Sequence, residues 1–328
     1  MNRDFSVFRD PGNQLPLHSE DASTLKSGEG SEYPLVKGIP RFVASENYAQ
    51  AFGSQWNEFP KTQLDSYSGL SITETRLSRC LNGHLEGLDG KKVLEAGSGA
   101  GRFTEILLKH GAELHSFDFS LAVEANASNN GHHESLSLAQ ADIREIPYER
   151  GSYEYVVCLG VLQHTPDPEE SIRALWEMVV PGGFLAIDHY RKKLRDLLPL
   201  PNKAYRAIIR RLPARNQMRV VRWLTDFWFP VHWKFRDSAA MRAILGKLSP
   251  VCFYYPAIAL ASRQMYYEWG LLDTHDATTD WYKHLRTAGE IESFLESLGA
   301  EAISVVNDGN GVEAFCRKPS EGSADRPN

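Results

Sequence analysis

Between Lys91 and Tyr190, short apolar segments alternate with amphipathic ones, and this alternation most limits what the chain can fold into. The strand-like segments are "KKVLEAG", "ELHSFDFS", "LSLAQADI", "YEYVVCLGV" and "GFLAIDHY". They are short, apolar and barely alternating, as strands covered on both faces are. Helix-like segments lie among them: "RFTEILLKHG", stopped by Gly111; "LAVEANASNN"; and "PEESIRALWEMVV", opened by Pro168 and stopped at "PGG". Strands separated by helices of this length make βαβ units, and hence a parallel sheet. The pattern breaks at Arg191 and resumes with "TAGEIESFLESLGA" as a helix and "AISVVND" and "GVEAFCRK" as strands. The Pro-punctuated segment between is read as a helical insertion.

The first strand runs into "VLEAGSGAGRF". Gly97, Gly99 and Gly101 let the backbone take positive φ and approach a ligand closely. No Lys-Ser or Lys-Thr follows Gly101, which excludes a phosphate-binding P-loop. Arg102 stands where a dinucleotide fingerprint needs its third glycine, which argues against a nicotinamide oxidoreductase. Asp118 ends the second strand, where its two oxygens can accept both hydroxyls of a ribose.

Glu95, Gly97, Gly99 and Gly101 resemble motif I, [DE]-x-G-x-G-x-G, of the class I S-adenosylmethionine-dependent methyltransferases. "CLGVLQHTPDPEESIRALWEMVVPGGFLAI" resembles that family's fourth strand, the helix after it and its L-x-P-G-G turn, here "VVPGG". The resemblance covers about Leu85 to Tyr190, plus the terminal helix and strands. It implies an α/β fold with a Rossmann-like, doubly wound, seven-stranded, mostly parallel sheet whose last strand is antiparallel. An N-terminal extension and a helical insertion after strand five complete that expectation. The implied cofactor is S-adenosyl-L-methionine, with the glycine turn beside its methionine part and Glu95 helping to hold it. Asp118 is expected at the ribose, and Asp142 and Ile143 at the adenine. Phe119, Leu159 and His164 are expected as further cofactor contacts. The implied activity is methyl transfer to a small-molecule, sugar or lipid-linked acceptor by in-line displacement.

A hydroxyl acceptor needs a base; an amine needs only to arrive neutral. The candidate bases are His164 after strand four, His189 at the end of strand five, and His275 in "LLDTHDATTDWYKHLRT". Asp273, Asp276, Tyr282 and His284 crowd around the last of these in sequence. They show no metal-ligand pattern, so no metal is expected. Gln55, Trp56, Gln63, Tyr67, Tyr190 and Tyr282 are candidates for the lid or the acceptor site.

The expected organisation is an N-terminal extension (1–45), a helical lid or linker (46–90), the cofactor-binding core (91–190), a helical cap on the acceptor side (191–270), the last helix and two strands (271–319) and a disordered tail (320–328). The extension reads as loop with a short hairpin. Its "YPLVKGIPRFV" resembles a segment of small zinc-ribbon-like modules, but it has no cysteine pair and reads as a degenerate scaffold. Ser71 and Glu74 have capping-box spacing at the start of a helix. The net charge of −6 weighs against a generic nucleic-acid binder. Residues 191–222 nevertheless hold eleven Lys or Arg against the single acid Asp196, followed by Trp223, Phe227, Trp228, Phe229 and Trp233. Such a stretch can lie on a membrane surface, bind an anionic acceptor, bind RNA, or simply be a solvated cap. Four dispersed cysteines and the absence of an apolar leader in "MNRDFSVFRDPG" suggest a reduced, cytoplasmic protein. A binding-only, methyltransferase-like protein is the alternative from another class. The sequence leaves the oligomeric state open.

Overall fold

A computed structural model describes residues 5–19, 21, 23–44, 47, 49–192, 201–309 and 311–320. The expected tail, apart from Ser320, and residues 193–200 of the insertion lie outside them. The chain opens with four short strands, β1 (Leu17–Ser19), β2 (Thr24–Ser27), β3 (Glu32–Val36) and β4 (Ile39–Pro40), each antiparallel to the next. The expected loop and hairpin are thus a four-stranded sheet. Its strands are too short, and too polar on their outer faces, to stand out from loop in the sequence. Three helices follow: α1 (Gln50–Glu58), α2 (Asp65–Ser68) and α3 (Ile72–Cys80). The expected capping box at α3 does not form. Asp65 takes that role from α2, its two oxygens accepting the Thr73 and Glu74 N–H groups at 2.9 Å each. Glu74 turns instead to Lys109 and His110.

The core runs β5 (Lys92–Ala96), α4 (Arg102–Lys109), β6 (Glu113–Asp118), α5 (Val123–Asn130), β7 (Leu136–Gln140), β8 (Tyr153–Cys158), α6 (Pro168–Met178) and β9 (Val179–Tyr190). The insertion supplies α7 (Pro201–Ile209), α8 (Ala214–Lys234), α9 (Ala239–Leu248) and α10 (Arg263–Thr279). The chain closes with α11 (Ala288–Ser297), β10 (Glu301–Val306) and β11 (Gly311–Arg317). The main sheet has seven strands in the order β10-β11-β9-β8-β5-β6-β7. Neighbours from β9 to β7 are parallel, and β11 is antiparallel to both β9 and β10. This is the expected seven-stranded sheet with its last strand reversed.

Each face of the sheet has its own core. Leu94, Val156, Leu185 and Ile187 pack with Ile172 and Leu175 of α6 and Ile291 and Leu295 of α11. Val93, Leu114, Val157 and Ala186 pack with Leu77 of α3 and Phe103, Ile106 and Leu107 of α4. Adjacent residues such as Val93 and Leu94 therefore serve opposite cores, which is why these strands read as continuous apolar runs. The "PGG" turn lies inside β9. The register against β8 jumps there from Tyr153↔Val179 to Tyr155↔Phe184, so the turn is a bulge in a strand that began earlier than expected. The insertion does not end at Gly270. That glycine lies within α10, where a Cβ would meet the Cys252 carbonyl at 2.7 Å, so it marks close packing rather than a helix stop.

Gly101 caps α4 at φ 89°, and a Cβ there would lie 2.2 Å from Asn126 Oδ1 and 2.3 Å from Asn130 Nδ2 of α5. Gly101→Ala combines backbone strain with that clash. It is expected to cost roughly 1–3 kcal/mol of stability, read as a lowered midpoint in urea unfolding.

Candidate active site

In a parallel sheet the carboxyl ends of the strands are where side chains from several loops can meet over one point. Here those ends form the floor of a single cavity of about 1010 Å³. β5 contributes the turn Gly97–Ala100, β6 ends in Asp118 and Phe119, β7 leads to Asp142 and Ile143, β8 to Leu159, Gly160 and His164, and β9 to Tyr190. Gln55, Trp56, Gln63, Arg76 and Arg79 close one side from the N-terminal helices. Trp269, Leu272, Asp273, Asp276 and Ala277 of α10, with Cys252 and Tyr254 before it, form the roof. The volume is at the upper end of the range of about 300–1,000 Å³ usual for ligand sites, which leaves room for two molecules.

The glycine turn is shaped by its neighbours. A Cβ on Gly97 would lie 2.2 Å from a Val161 methyl carbon, and one on Gly99 would lie 3.4 Å from the Trp56 ring. Gly99 N–H donates to Asp118 Oδ2 at 2.8 Å, while Asp118 Oδ1 accepts from the Ser120 N–H and hydroxyl. Burial raises the Asp118 carboxyl, and these hydrogen bonds oppose the shift. Asp142 is held by Arg144, which donates to both of its oxygens, at 3.0 and 2.7 Å.

Two of the expected cofactor residues do not line the cavity. The Glu95 carboxylate lies beneath the turn, 2% exposed, where Oε2 accepts from Thr104 at 2.5 Å and Ser116 at 2.8 Å. Burial pushes this carboxyl up to about 7. It ties β5 to α4 and β6, so its action on a ligand can only be indirect. Gly101 faces α5, not the cavity. Tyr67 is also outside, its hydroxyl 3.2 Å from Glu268 on the surface. Tyr282 does not line the cavity; its backbone carbonyl accepts from His164 Nδ1 at 3.2 Å.

Of the three histidines, only His164 lines the cavity. It packs edge-on against Tyr190, and burial pushes it down to about 4, so it is neutral at ordinary pH. His189 points to the opposite face of β9 from Tyr190, as strand alternation requires, and is 1% exposed. His275 lies behind the wall, donating from Nδ1 to Gln55 Oε1 at 2.5 Å and so joining α10 to α1. Burial pushes both down to about 4.

Three further residues carry more of the site's electrostatics. Arg102 donates to the neutral Gln63 at 2.6 Å and lies 4.6 Å from the Phe103 ring centroid; no carboxylate among the described residues is within ion-pair distance. Burial pulls it down to about 10, so it stays a cation. Asp273 accepts from Gln63 at 2.9 Å and from the Tyr254 hydroxyl. Asp276, one turn further along α10, lines the same cavity, and its carboxyl has no hydrogen-bond or ion-pair partner among the described residues. Burial first, then Asp280, pushes Asp276 up to about 7. Trp269, Leu272, Asp273, Asp276 and Ala277 share helical spacing, so this face becomes visible once the segment is read as a helix.

Residues 94–187 match the family model described as a methyltransferase domain. The ubiquinone biosynthesis O-methyltransferase of Acinetobacter baylyi is 36% identical over 106 residues, covering 30% of this chain and 44% of the relative. That of Pseudomonas aeruginosa strain LESB58 is 38% identical over 103 residues, covering 30% and 43%. The chain thus spans less than half the length of these curated relatives. A solved S-adenosylmethionine-dependent methyltransferase from Aquifex aeolicus aligns with a TM-score of 0.42 and 13% identity, over 81% of this chain and 97% of that one. The matched segment, residues 94–187, is a methyltransferase domain, set on the seven-stranded sheet expected of the class I S-adenosylmethionine-dependent methyltransferases. The cavity fits that cofactor on its own chemistry: an unpaired cation for a carboxylate, Asp118 for a diol, and a glycine turn with the Trp56 ring against it.

A buried acid held above its ordinary value opposes folding as pH rises from that value towards the folded one. Asp276→Asn removes this cost. It is expected to raise the melting temperature by roughly 2–4 °C above pH 7, less as pH falls, and not at all near the carboxylate value of 3.8. Calorimetry across that pH range checks it.

Proposed function

We propose that the chain transfers a methyl group to a hydroxyl of a small-molecule acceptor held between the strand ends and α10. The observation that carries this is the unpartnered Asp276 carboxyl facing, within one cavity, the glycine turn and Asp118. When bound, S-adenosylmethionine supplies an electrophilic methyl group on a sulfonium. Arg102 holds its carboxylate, Asp118 its ribose hydroxyls, and Asp142 and Ile143 its adenine. The chain's own work is alignment and exclusion of water. Trp56 and Gln63 close the N-terminal side; Tyr254 and Trp269 close the roof. Asp276 takes the proton of the acceptor hydroxyl, and His164 and Tyr190 orient the acceptor. A base whose pKa lies near the working pH is efficient, and Asp276 is in that range. The names of the two relatives, which align over 106 and 103 residues, support an oxygen acceptor.

Incubation of the full chain with methyl-labelled S-adenosylmethionine and a metabolite extract is the direct test. Label is expected in small molecules, and its absence from every fraction would count against turnover. Asp118→Ala and Arg102→Ala are each expected to weaken S-adenosylhomocysteine binding about 10- to 100-fold, measured by titration calorimetry. Asp276→Asn is expected to lower kcat by roughly a hundredfold or more, leave S-adenosylhomocysteine affinity unchanged, and abolish the rise of kcat with pH through about 7.

A further inference from the structure

The outer face of α8 carries a feature that the catalytic reading does not use. Arg215, Arg219, Trp223 and Phe227 follow one another at four-residue spacing, and all four are exposed. Residues at this spacing lie along one side of a helix. Trp223 is 66% and Phe227 59% exposed, with ring centroids 6.3 Å apart and planes 16° from parallel. The opposite face of α8 is satisfied: Val221 and Leu224 pack with Leu271 of α10, and Phe229 packs with Tyr266 and Trp269. The two exposed rings are therefore surplus to the core. Ile208 of α7 is likewise 66% exposed.

The charges around these rings choose between occupants. Arg215 and Arg219 have no carboxylate partner among the described residues, whereas Arg206 is paired with Asp280 and Arg222 with Glu58. Asp226, the acid nearest the rings in sequence, accepts a hydrogen bond from Tyr267 at 2.6 Å. Residues 191–222 are strongly basic in sequence in a chain of net charge −6, so the rest of the chain is more negative than the whole. A second copy would bring two basic faces together. A negatively charged bilayer accepts both components, since arginines reach the headgroups and the rings sink to the acyl boundary. No helix among the described residues is long and apolar enough to cross a membrane. We infer that the Arg215–Arg219–Trp223–Phe227 face of α8 docks the protein on an anionic lipid surface.

The test uses the full chain and needs no acceptor, so it stands apart from the methyl-transfer reading. Vesicles of phosphatidylcholine, pure or with about one-third phosphatidylglycerol, are floated with the protein at low and high salt. The expected result is recovery with the phosphatidylglycerol vesicles, about tenfold less with pure phosphatidylcholine, and weakening by salt. Trp223→Ser/Phe227→Ser and Arg215→Glu/Arg219→Glu should each lose binding about tenfold or more, with unchanged melting temperature and S-adenosylhomocysteine affinity. Absence of wild-type binding to the anionic vesicles at low salt would overturn the inference. So would full binding by both variants, capture of polyuridylic RNA in preference to vesicles, or a concentration-dependent dimer abolished by the aromatic double variant.

Discussion

The pairing of Arg76 with Asp188 is the interaction on which the closed site depends. Asp188 is 1% exposed near the carboxyl end of β9, and one of its oxygens accepts the Gly160 N–H at 2.5 Å. Its other oxygen meets the Arg76 guanidinium from α3. A carboxylate so deeply buried is tolerable only with such partners, and loss of one would leave an isolated charge. The pair therefore holds α3 over the strand ends and fixes the loop after β8. Neither residue is remarkable in the sequence, because the contact joins positions 112 residues apart.

The same logic applies across the cavity. Glu95, Asp273 and Asp276 are all held above ordinary carboxylate values, with burial the largest cause in each case. Their uses differ because their partners differ. Glu95 has two hydroxyl donors and ties the core together. Asp273 is engaged by Gln63 and Tyr254 and braces the roof against the N-terminal helices. Asp276 has no such partner among the described residues and lines the cavity.

The part of the site built on the sheet was legible in the sequence because each residue follows its strand directly. Gly97, Gly99, Asp118, Asp142, Ile143 and Leu159 each lie within a few residues of a strand end, so strand order alone brings them together. The parity of β9 was missed: His189 and Tyr190 were both expected at the acceptor side, yet adjacent residues of a strand face opposite ways, and only Tyr190 lines the cavity. The roof was harder to read. Asp273 and Asp276 come from a helix inside an insertion, and their approach to Gln63 and Arg102 depends on packing among α1, α8 and α10. Likewise, the Ser71–Glu74 pair had the right spacing for a cap, but Asp65 of the preceding helix offered better-placed oxygens. Local pattern decides such an end only when no distant acceptor competes.

The small N-terminal sheet also changes what the large one exposes. Phe42 N–H donates to the Gln140 carbonyl at 2.8 Å, Arg41 bridges the same residue, and Phe8 pairs with Tyr148. The first two contacts fall at the end of β7, the outermost parallel strand, and the third lies in the segment that follows it. An uncovered outer strand offers a row of free backbone donors and acceptors to any other extended chain. By occupying part of that rim, Arg41 and Phe42 leave fewer of those groups open to edge-to-edge pairing, a consequence independent of cofactor and acceptor.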